Sequence, residues 1–452
     1  MTTLKLDRVL GLPTVVFIAI GGTIGGGVFV FTGIVFKIVG QALPIAYSLA
    51  VIPVFISMMP LAMLGASIPC IGGNYKYPSR MVNPGLAFLG IWIYGLASFF
   101  GQIPLYAIGC AKYAQAIFPE IPTTPFAIGI VTFFVLINII GVRLAAQIQG
   151  VLVLILISAL LYYSFSGFIY INPENFSNIL EKGEANLMLG VALLTFTYLG
   201  SNAIIELGGE IIDPGKTIPR AFFISFPIIA VVYVLVAVAT IGAIPLGNLF
   251  TFAEPLISVC KTTCGSGGFF FFVFGGAIVA LTTTLNALFI YGTKPLLMIV
   301  EDKILPEKLG RIHKRFGTPY VLLLAAWLLS VLGIISGFSL QTLASYAALG
   351  GLIVFFPTML ASMRFPSLYP EEYKKSNFKL TGFWLRFCPI VGLLMVVFFW
   401  LIILVDLKTP VKIGWFGVFV ISGIGYYQLR KKHLKKQGID LDEIMKNKKG
   451  WD

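Results

Sequence analysis

Apolar residues run along this chain in stretches of about 20, and polar residues are confined to the short segments between them. A stretch of this length is what an α-helix needs to cross the hydrocarbon core of a bilayer. The pattern therefore predicts twelve membrane-spanning helices rather than a barrel of short alternating strands. The predicted spans cover residues 10–36, 41–68, 84–117, 125–142, 145–170, 186–210, 219–246, 267–300, 319–337, 339–361, 384–404 and 411–430.

The composition of the chain excludes a soluble globule. Of its 452 residues, 58% are hydrophobic and only 11% are charged, which leaves too little polar surface to face water. An all-α integral membrane protein is predicted, with the lipid bilayer as its surroundings. Residues 1–430 are interpreted as a single transmembrane domain, and residues 431–452 as a basic cytoplasmic tail.

The net charge of +13 changes this picture only by fixing an orientation. With both termini in the cytoplasm, 26 of the 32 lysine and arginine residues fall in inner segments, as the positive-inside rule requires. We therefore predict a multi-pass protein of the cell membrane. Because the basic residues lie in loops and in the tail, the charge indicates no nucleic-acid partner, and no obligate protein partner is evident.

Glycine interrupts two of the predicted spans. Residues 20–29 read IGGTIGGGVF, and residues 195–202 read TFTYLGSN. Glycine disfavours a continuous helix, so an unwound segment is predicted in both spans. Non-helical backbone inside a membrane survives only where it lines a cavity or is buried in protein, and a pair of such breaks indicates a transport site.

Catalytic chemistry is nearly absent from the sequence. The chain has two histidines and no spacing of histidine, cysteine and carboxylate that is typical of a metal site, so neither an enzyme nor a cofactor is predicted. Cys260 and Cys264 lie in one outer loop, where an oxidising exterior would permit a disulfide, although free thiols are the default for buried cysteines. The ionisable residues Glu206 and Glu210 lie in the sixth span, and such residues mark functional sites by default.

Four segments in the order of the chain together resemble the amino acid/polyamine/organocation superfamily of secondary transporters, in its amino acid permease branch. The first is the glycine run of span 1, and the second is the PCIGGNYKY loop between spans 2 and 3. The third follows the break in span 6, and the fourth links the end of span 8 to span 9. They occupy residues 24–29, 69–90, 198–221 and 286–319.

The resemblance implies a fold and a function. The fold would be two inverted repeats of five helices, at about 10–170 and 186–361, with helices 1 and 6 broken and two extra helices at about 384–430. The function would be amino acid transport by alternating access. An exchanger, a carrier of polyamines or other organic amines, and a nutrient sensor descended from a transporter stay open as alternatives. A channel is not favoured, because no filter loop or continuous polar lining is visible.

The resemblance also implies how an amino acid is bound. The amides of Gly26 and Gly27 would hold the carboxylate, since free N–H groups at a helix start favour anions. The carbonyls of Thr23, Phe196 and Leu199 would hold the amine. Because no carboxylate is available for a cationic side chain, apart from Glu206, a neutral substrate is predicted. The remaining members of the predicted binding set are Ile24, Gly25, Tyr198, Gly200 and Asn202.

The coupling ion is predicted to be either a proton or sodium. Some relatives use a lysine in span 5 as an internal cation, but the corresponding position here is Leu156. The corner of the site that the lysine would occupy is therefore unfilled. Sodium would bind to the hydroxyls of Thr283 and Thr284, although such hydroxyls often bond only to their own helix. Its other ligands would be the carbonyls of Gly21, Ile24 and Ala280. A cytoplasmic gate is predicted from the charged residues Arg80, Glu210, Lys216 and Arg220.

Overall fold

The computed structural model describes residues 8–245, 255–406 and 410–441, and within these ranges the chain is helical. The only strand-like pairing there consists of two isolated backbone bridges, Leu10 with Ile211 and Ile71 with Leu207. Nine helical segments in the described part are long and apolar enough to cross a membrane, and the first of them, Leu12–Ser67, contains two successive helices. The protein is therefore a multi-pass α-helical membrane protein. The part of the predicted tail beyond residue 441 lies outside the described residues.

The helices follow the predicted spans in order. We number them α1 (residues 12–39), α2 (Leu43–Ser67), α3 (Gly73–Met81), α4 (Pro84–Gln115), α5 (Thr123–Ile140), α6 (Val142–Phe168), α7 (Glu184–Glu206), α8 (Pro214–Gly242), α9 (Pro255–Thr263), α10 (Gly265–Glu301), α11 (Tyr320–Ile335), α12 (Leu340–Leu368), α13 (Pro370–Lys375), α14 (Phe383–Asp406) and α15 (Pro410–Lys436). Short 3-10 turns cover Gly40–Ala42, Pro173–Phe176 and Glu307–Gly310.

Helix α1 differs from its prediction. It is not unwound at its glycines but continues from Leu12–Gly26 through a π-helical turn, Gly27–Phe31, into Thr32–Val39. The physical reason is close packing. A Cβ atom on Gly25 would lie 1.7 Å from Thr284 Oγ1, so α10 approaches the backbone of α1 directly. The glycines of α1 therefore serve as a packing surface while the helix stays wound.

Helix α7 has the interruption that its sequence predicts. Its first part ends at Tyr198, a 3-10 turn covers Leu199–Asn202, and a single helical turn, Ala203–Glu206, completes it. A Cβ atom on Gly200 would lie 2.4 Å from the carbonyl oxygen of Gly22, so the turn rests against α1 without a side chain between them. This contact joins the two glycine-rich segments.

Helix α1 lies at the centre of the bundle. It packs against α6, α8 and α10 and against the 3-10 turn of α7. These contacts bury nearly all of its residues after Ile18.

All five cysteines are free thiols, including Cys260 in α9 and Cys264 directly after it.

Candidate substrate site

A small cavity lies where the 3-10 turn of α7 meets α1. Its volume is about 20 Å³, room for about one water molecule and too little for an amino acid. The site is thus closed around its own side chains in this conformation. The cavity is lined by Gly22, Thr23, Tyr94, Gln102, Tyr106, Phe196, Thr197, Leu199, Gly200, Asn202, Tyr291 and Gly351.

The lining includes half of the predicted binding residues. Thr23, Phe196, Leu199, Gly200 and Asn202 face the cavity. The other five, which are Ile24, Gly25, Gly26, Gly27 and Tyr198, are buried outside its lining. Tyr198 packs against the rings of Tyr47 and Tyr233, and its hydroxyl donates to the carbonyl of Tyr47 at 3.1 Å.

Three of the backbone groups predicted to hold the substrate, the amides of Gly26 and Gly27 and the carbonyl of Thr23, have partners within the protein. The Gly26 N–H donates to Thr284 Oγ1 at 2.9 Å, and the Gly27 N–H donates to the carbonyl of Ile24. The expectation that these two amides are free is therefore wrong for this conformation. On the amine side, the Thr23 carbonyl accepts from the Tyr233 hydroxyl at 2.6 Å. A substrate would have to displace or extend these hydrogen bonds.

Several cavity residues come from α4 and α10, which the sequence did not single out. Tyr94, Gln102 and Tyr106 belong to α4, and Gln102 Nε2 donates to the Tyr106 hydroxyl at 3.0 Å. Tyr291 belongs to α10. Each helix also carries a π-helical segment, Ala97–Gln102 in α4 and Phe272–Ile278 in α10, and such segments are frequent at functional sites. The sequence gives no comparable signal for them.

Thr283 and Thr284 of α10, which we call the threonine corner, lie directly against α1. The Thr283 and Thr284 hydroxyls each lie 3.3 Å from the carbonyl oxygen of Gly21. They also donate to the carbonyl of Ala280, at 2.7 and 3.3 Å. The oxygen atoms that a hard cation needs are therefore brought together, while every one of them already takes part in a hydrogen bond. Sodium binding at this corner stays a prediction.

Gln149 of α6 fills the corner that the sequence left open. Its Nε2 donates to the carbonyl of Thr283 at 3.3 Å, and a Cβ atom on Gly21 would lie 2.3 Å from it. Gln149 Oε1 accepts from Asn286, whose Oδ1 accepts from Asn138. Leu156 lies two helical turns further along the same face and packs in the apolar core.

Two buried ion pairs lie at the start of α1, next to Leu10. Lys294 Nζ lies 2.7 Å from Glu210 Oε1, and their side chains are 4% and 8% exposed. Arg80 binds Asp302 through two parallel hydrogen bonds of 2.7 and 2.9 Å. Burial alone would lower the pKa of Arg80, but the Asp302 carboxylate raises it above its ordinary value. Both pairs are therefore removed from water, and in each the two side chains lie within hydrogen-bond distance.

Of the four residues in the predicted gate, two belong to the buried ion pairs and two do not, and the gate itself stays a prediction. Arg80 pairs with Asp302 and Glu210 pairs with Lys294. Both partners lie in the fourth segment of the resemblance, but the sequence assigned them no role. Lys216 instead pairs with Asp213 at 3.6 Å, and both side chains are more than half exposed. Arg220 is exposed on α8 and forms no ion pair within the described residues.

Backbone hydrogen bonds close the same end of the bundle. The N–H groups of Val9 and Leu10 both donate to the carbonyl of Glu210, at 2.9 and 3.0 Å, and the Ile212 N–H returns a bond to the carbonyl of Leu10. The Gly72 N–H donates to the carbonyl of Glu206 at 3.1 Å. The start of α1, the α2–α3 connection and the end of α7 are therefore joined.

The opposite end of α1 is open by comparison. A cavity of about 270 Å³ lies there between α1, α4 and α12. Lys37 and Lys112 are among its lining residues, and both are exposed. The bundle is therefore asymmetric, because it is tied together at the Leu10 end and indented at the Lys37 end.

Comparisons with known proteins agree with these observations. The family model described as amino acid permease matches residues 14–426. The chain is 26% identical over 411 residues to a methylthioribose transporter of Bacillus subtilis, covering 86% of each chain. It is 22% identical over 459 residues to a branched-chain amino acid permease of the same organism, covering 95% of each. It is 28% identical over 375 residues to the large neutral amino acids transporter small subunit 2 of Mus musculus, covering 75% of this chain and 67% of that one.

Proposed function

Because this chain belongs to the amino acid permease family of the amino acid/polyamine/organocation superfamily, we propose that it carries amino acids across the cell membrane by alternating access. The observation that carries this proposal is the contact between the interrupted helix α7 and the glycine surface of α1 at a closed cavity. Two short backbone segments there can separate without unpacking large side chains. Such a joint suits a site that opens alternately to either side.

The proposed architecture has twelve spans in two inverted five-helix repeats, with both termini in the cytoplasm. The Leu10 end of α1 is then the inner end, and the two buried ion pairs form the inner gate. The 270 Å³ cavity at the Lys37 end is the outer vestibule. In this assignment the described conformation is closed to the cytoplasm, and substrate enters from outside.

A neutral amino acid is the proposed substrate. Among the described cavity-lining residues, none carries a charge, and the polar groups are hydroxyls and amides. A cationic side chain would lack a carboxylate partner on that lining, and a buried charge without a partner is costly. The names of two relatives, for branched-chain and for large neutral amino acids, support the same substrate class.

Uptake into proteoliposomes tests this function. The purified protein is expected to accumulate at least one labelled neutral amino acid, while liposomes without protein accumulate none. Vesicles preloaded with unlabelled substrate serve to detect exchange. A protein that binds amino acids in a thermal-shift assay but moves none in either vesicle assay would be a sensor, and the transport proposal would be rejected.

Sodium coupling makes a separate prediction at the threonine corner. If sodium is the coupling ion and binds at this corner, a sodium gradient imposed at clamped pH drives uptake, and combining Thr283→Ala with Thr284→Ala abolishes that response by removing both hydroxyl ligands. The matched control is Thr282→Ala, whose hydroxyl bonds to carbonyls of its own helix. A sodium response that survives the double substitution would rule out this site.

A further inference from the structure

Glu206 is a buried carboxyl group outside both ion pairs. It ends the last turn of α7 and is 3% exposed. Its Oε1 accepts two hydrogen bonds from Asn74, from Nδ2 at 2.5 Å and from the backbone N–H at 3.3 Å. Its Oε2 is buried and has no hydrogen-bond partner within the described residues. One oxygen of this carboxyl is therefore available to a proton.

The charged groups near Glu206 do not neutralise it. Within the described part of the chain it forms no ion pair, since Lys294 is bound to Glu210 and Arg80 to Asp302. A carboxylate in such surroundings is unfavourable, and protonation removes its charge. Four titratable groups interact electrostatically with Glu206, which are Tyr94 of α4, Tyr291 of α10, and Cys70 and Tyr77 near the α2–α3 connection. Lys76, on the same short helix as Asn74, interacts electrostatically with Cys70.

Two of these neighbours connect Glu206 to the substrate cavity. Tyr94 and Tyr291 both line the cavity, and they share a hydrogen bond with each other. Asn202, one helical turn before Glu206, lines the same cavity. Water that enters the cavity when it opens outward would therefore come close to the carboxyl group.

Glu206 is also tied to the inner gate. Asn74, which donates to the carboxyl group, lies on α3 together with Arg80, and its Oδ1 accepts from Thr358 of α12 at 3.2 Å. A charged carboxylate is a stronger acceptor than a neutral carboxylic acid. A negative charge on Glu206 therefore strengthens the contact that holds α3 in its closed position, and a proton weakens that contact.

We propose that Glu206 is the proton-binding group that couples amino acid uptake to a proton gradient. Oε2 takes a proton from hydronium in the outward-open cavity and leaves water behind, the neutral acid releases α3, and the proton passes to cytoplasmic water, which becomes hydronium, when the inner gate opens. This inference rests on the proposed transport function and specifies its coupling ion. It also fits the threonine corner, where the hydroxyls of Thr283 and Thr284 already take part in hydrogen bonds within the protein.

Glu206→Gln tests the proposal, because it keeps the shape of the side chain and cannot exchange a proton. In wild-type proteoliposomes, an acidic exterior is expected to raise accumulation several-fold and to acidify the lumen, as reported by a trapped pH dye. In Glu206→Gln, both responses to the gradient are expected to vanish while exchange with preloaded substrate persists. The matched control is Glu184→Gln at the exposed start of α7, which keeps the wild-type response.

The outcomes separate this inference from the function on which it rests. Wild-type uptake that follows a sodium gradient and ignores the pH gradient would overturn the role of Glu206 but leave amino acid transport intact. Full pH-driven accumulation in Glu206→Gln would do the same. If Glu206→Gln does not fold, Glu206→Asp keeps a titratable group, and we expect it to retain proton-driven uptake with a shifted pH profile; an unshifted profile would contradict the proposal.

Discussion

Gly25→Ala is expected to lower amino acid uptake about tenfold or more at equal amounts of folded protein. The added Cβ atom would lie 1.7 Å from Thr284 Oγ1 and 2.2 Å from the carbonyl oxygen of Ala280. The second of these is backbone, so α1 and α10 must move apart to relieve the clash. Overpacking of this kind costs about 1–3 kcal/mol, and about 1.4 kcal/mol corresponds to a factor of ten.

The measurement is initial uptake in proteoliposomes, normalised to the monodisperse protein recovered. Gly129→Ala is the matched control. Gly129 lies in another transmembrane helix, α5, and a Cβ atom there would meet nothing within 4 Å. This variant is expected to transport like the wild type. The clash is expected to lower uptake by more than about twofold. If Gly25→Ala instead transports within that range of the control, the close contact between α1 and α10 is not needed for transport.

Glu210→Gln is expected to slow transport far more than it weakens substrate binding. The substitution leaves the buried ammonium group of Lys294 without its carboxylate partner. Breaking a buried pair in this way costs about 3–5 kcal/mol, and in the proposed orientation the cost falls on the conformation that is closed to the cytoplasm. The ion pair lies outside the cavity lining, so the contacts with a bound amino acid are retained.

Transport rate and binding affinity are measured on the same preparation. Lys216→Gln is the control, because it breaks an exposed pair, which contributes about 0–1 kcal/mol. Removing both charges, with Glu210→Gln and Lys294→Gln together, is expected to restore part of the lost rate. An equal loss of rate and affinity in Glu210→Gln would point to misfolding rather than to gating.

The membrane class and the order of the helices could be predicted from the sequence, because hydrophobic stretches and loop charges report directly on the bilayer. The interruption of α7 could also be predicted, since glycine weakens a helix locally. The same reasoning was wrong for α1. Whether a glycine unwinds a helix or brings another helix close depends on the neighbouring helix, and here α10 and its Thr284 hydroxyl occupy that position.

The partners in the candidate site could not be predicted for a related reason. Glu210 and Lys294 are 84 residues apart, and Arg80 and Asp302 are 222 residues apart. A single sequence indicates which charges are buried but not which of them meet. Gln149 could not be singled out either, because nothing in the sequence of α6 indicates that this glutamine meets α10, where its amide donates to the carbonyl of Thr283.

The hydrogen bonds of Val9 and Leu10 with Glu210 and Ile212 bear on how this protein is labelled. They join the beginning of the described chain to the segment that follows α7, and in the proposed alternating-access cycle these bonds would loosen each time the proposed inner gate opens. A purification tag or fluorescent reporter joined ahead of Val9 would be attached next to these hydrogen bonds and would hinder the movement of this segment. Helix α15 packs against α4 at the edge of the bundle, so a label joined after α15 would leave these hydrogen bonds undisturbed.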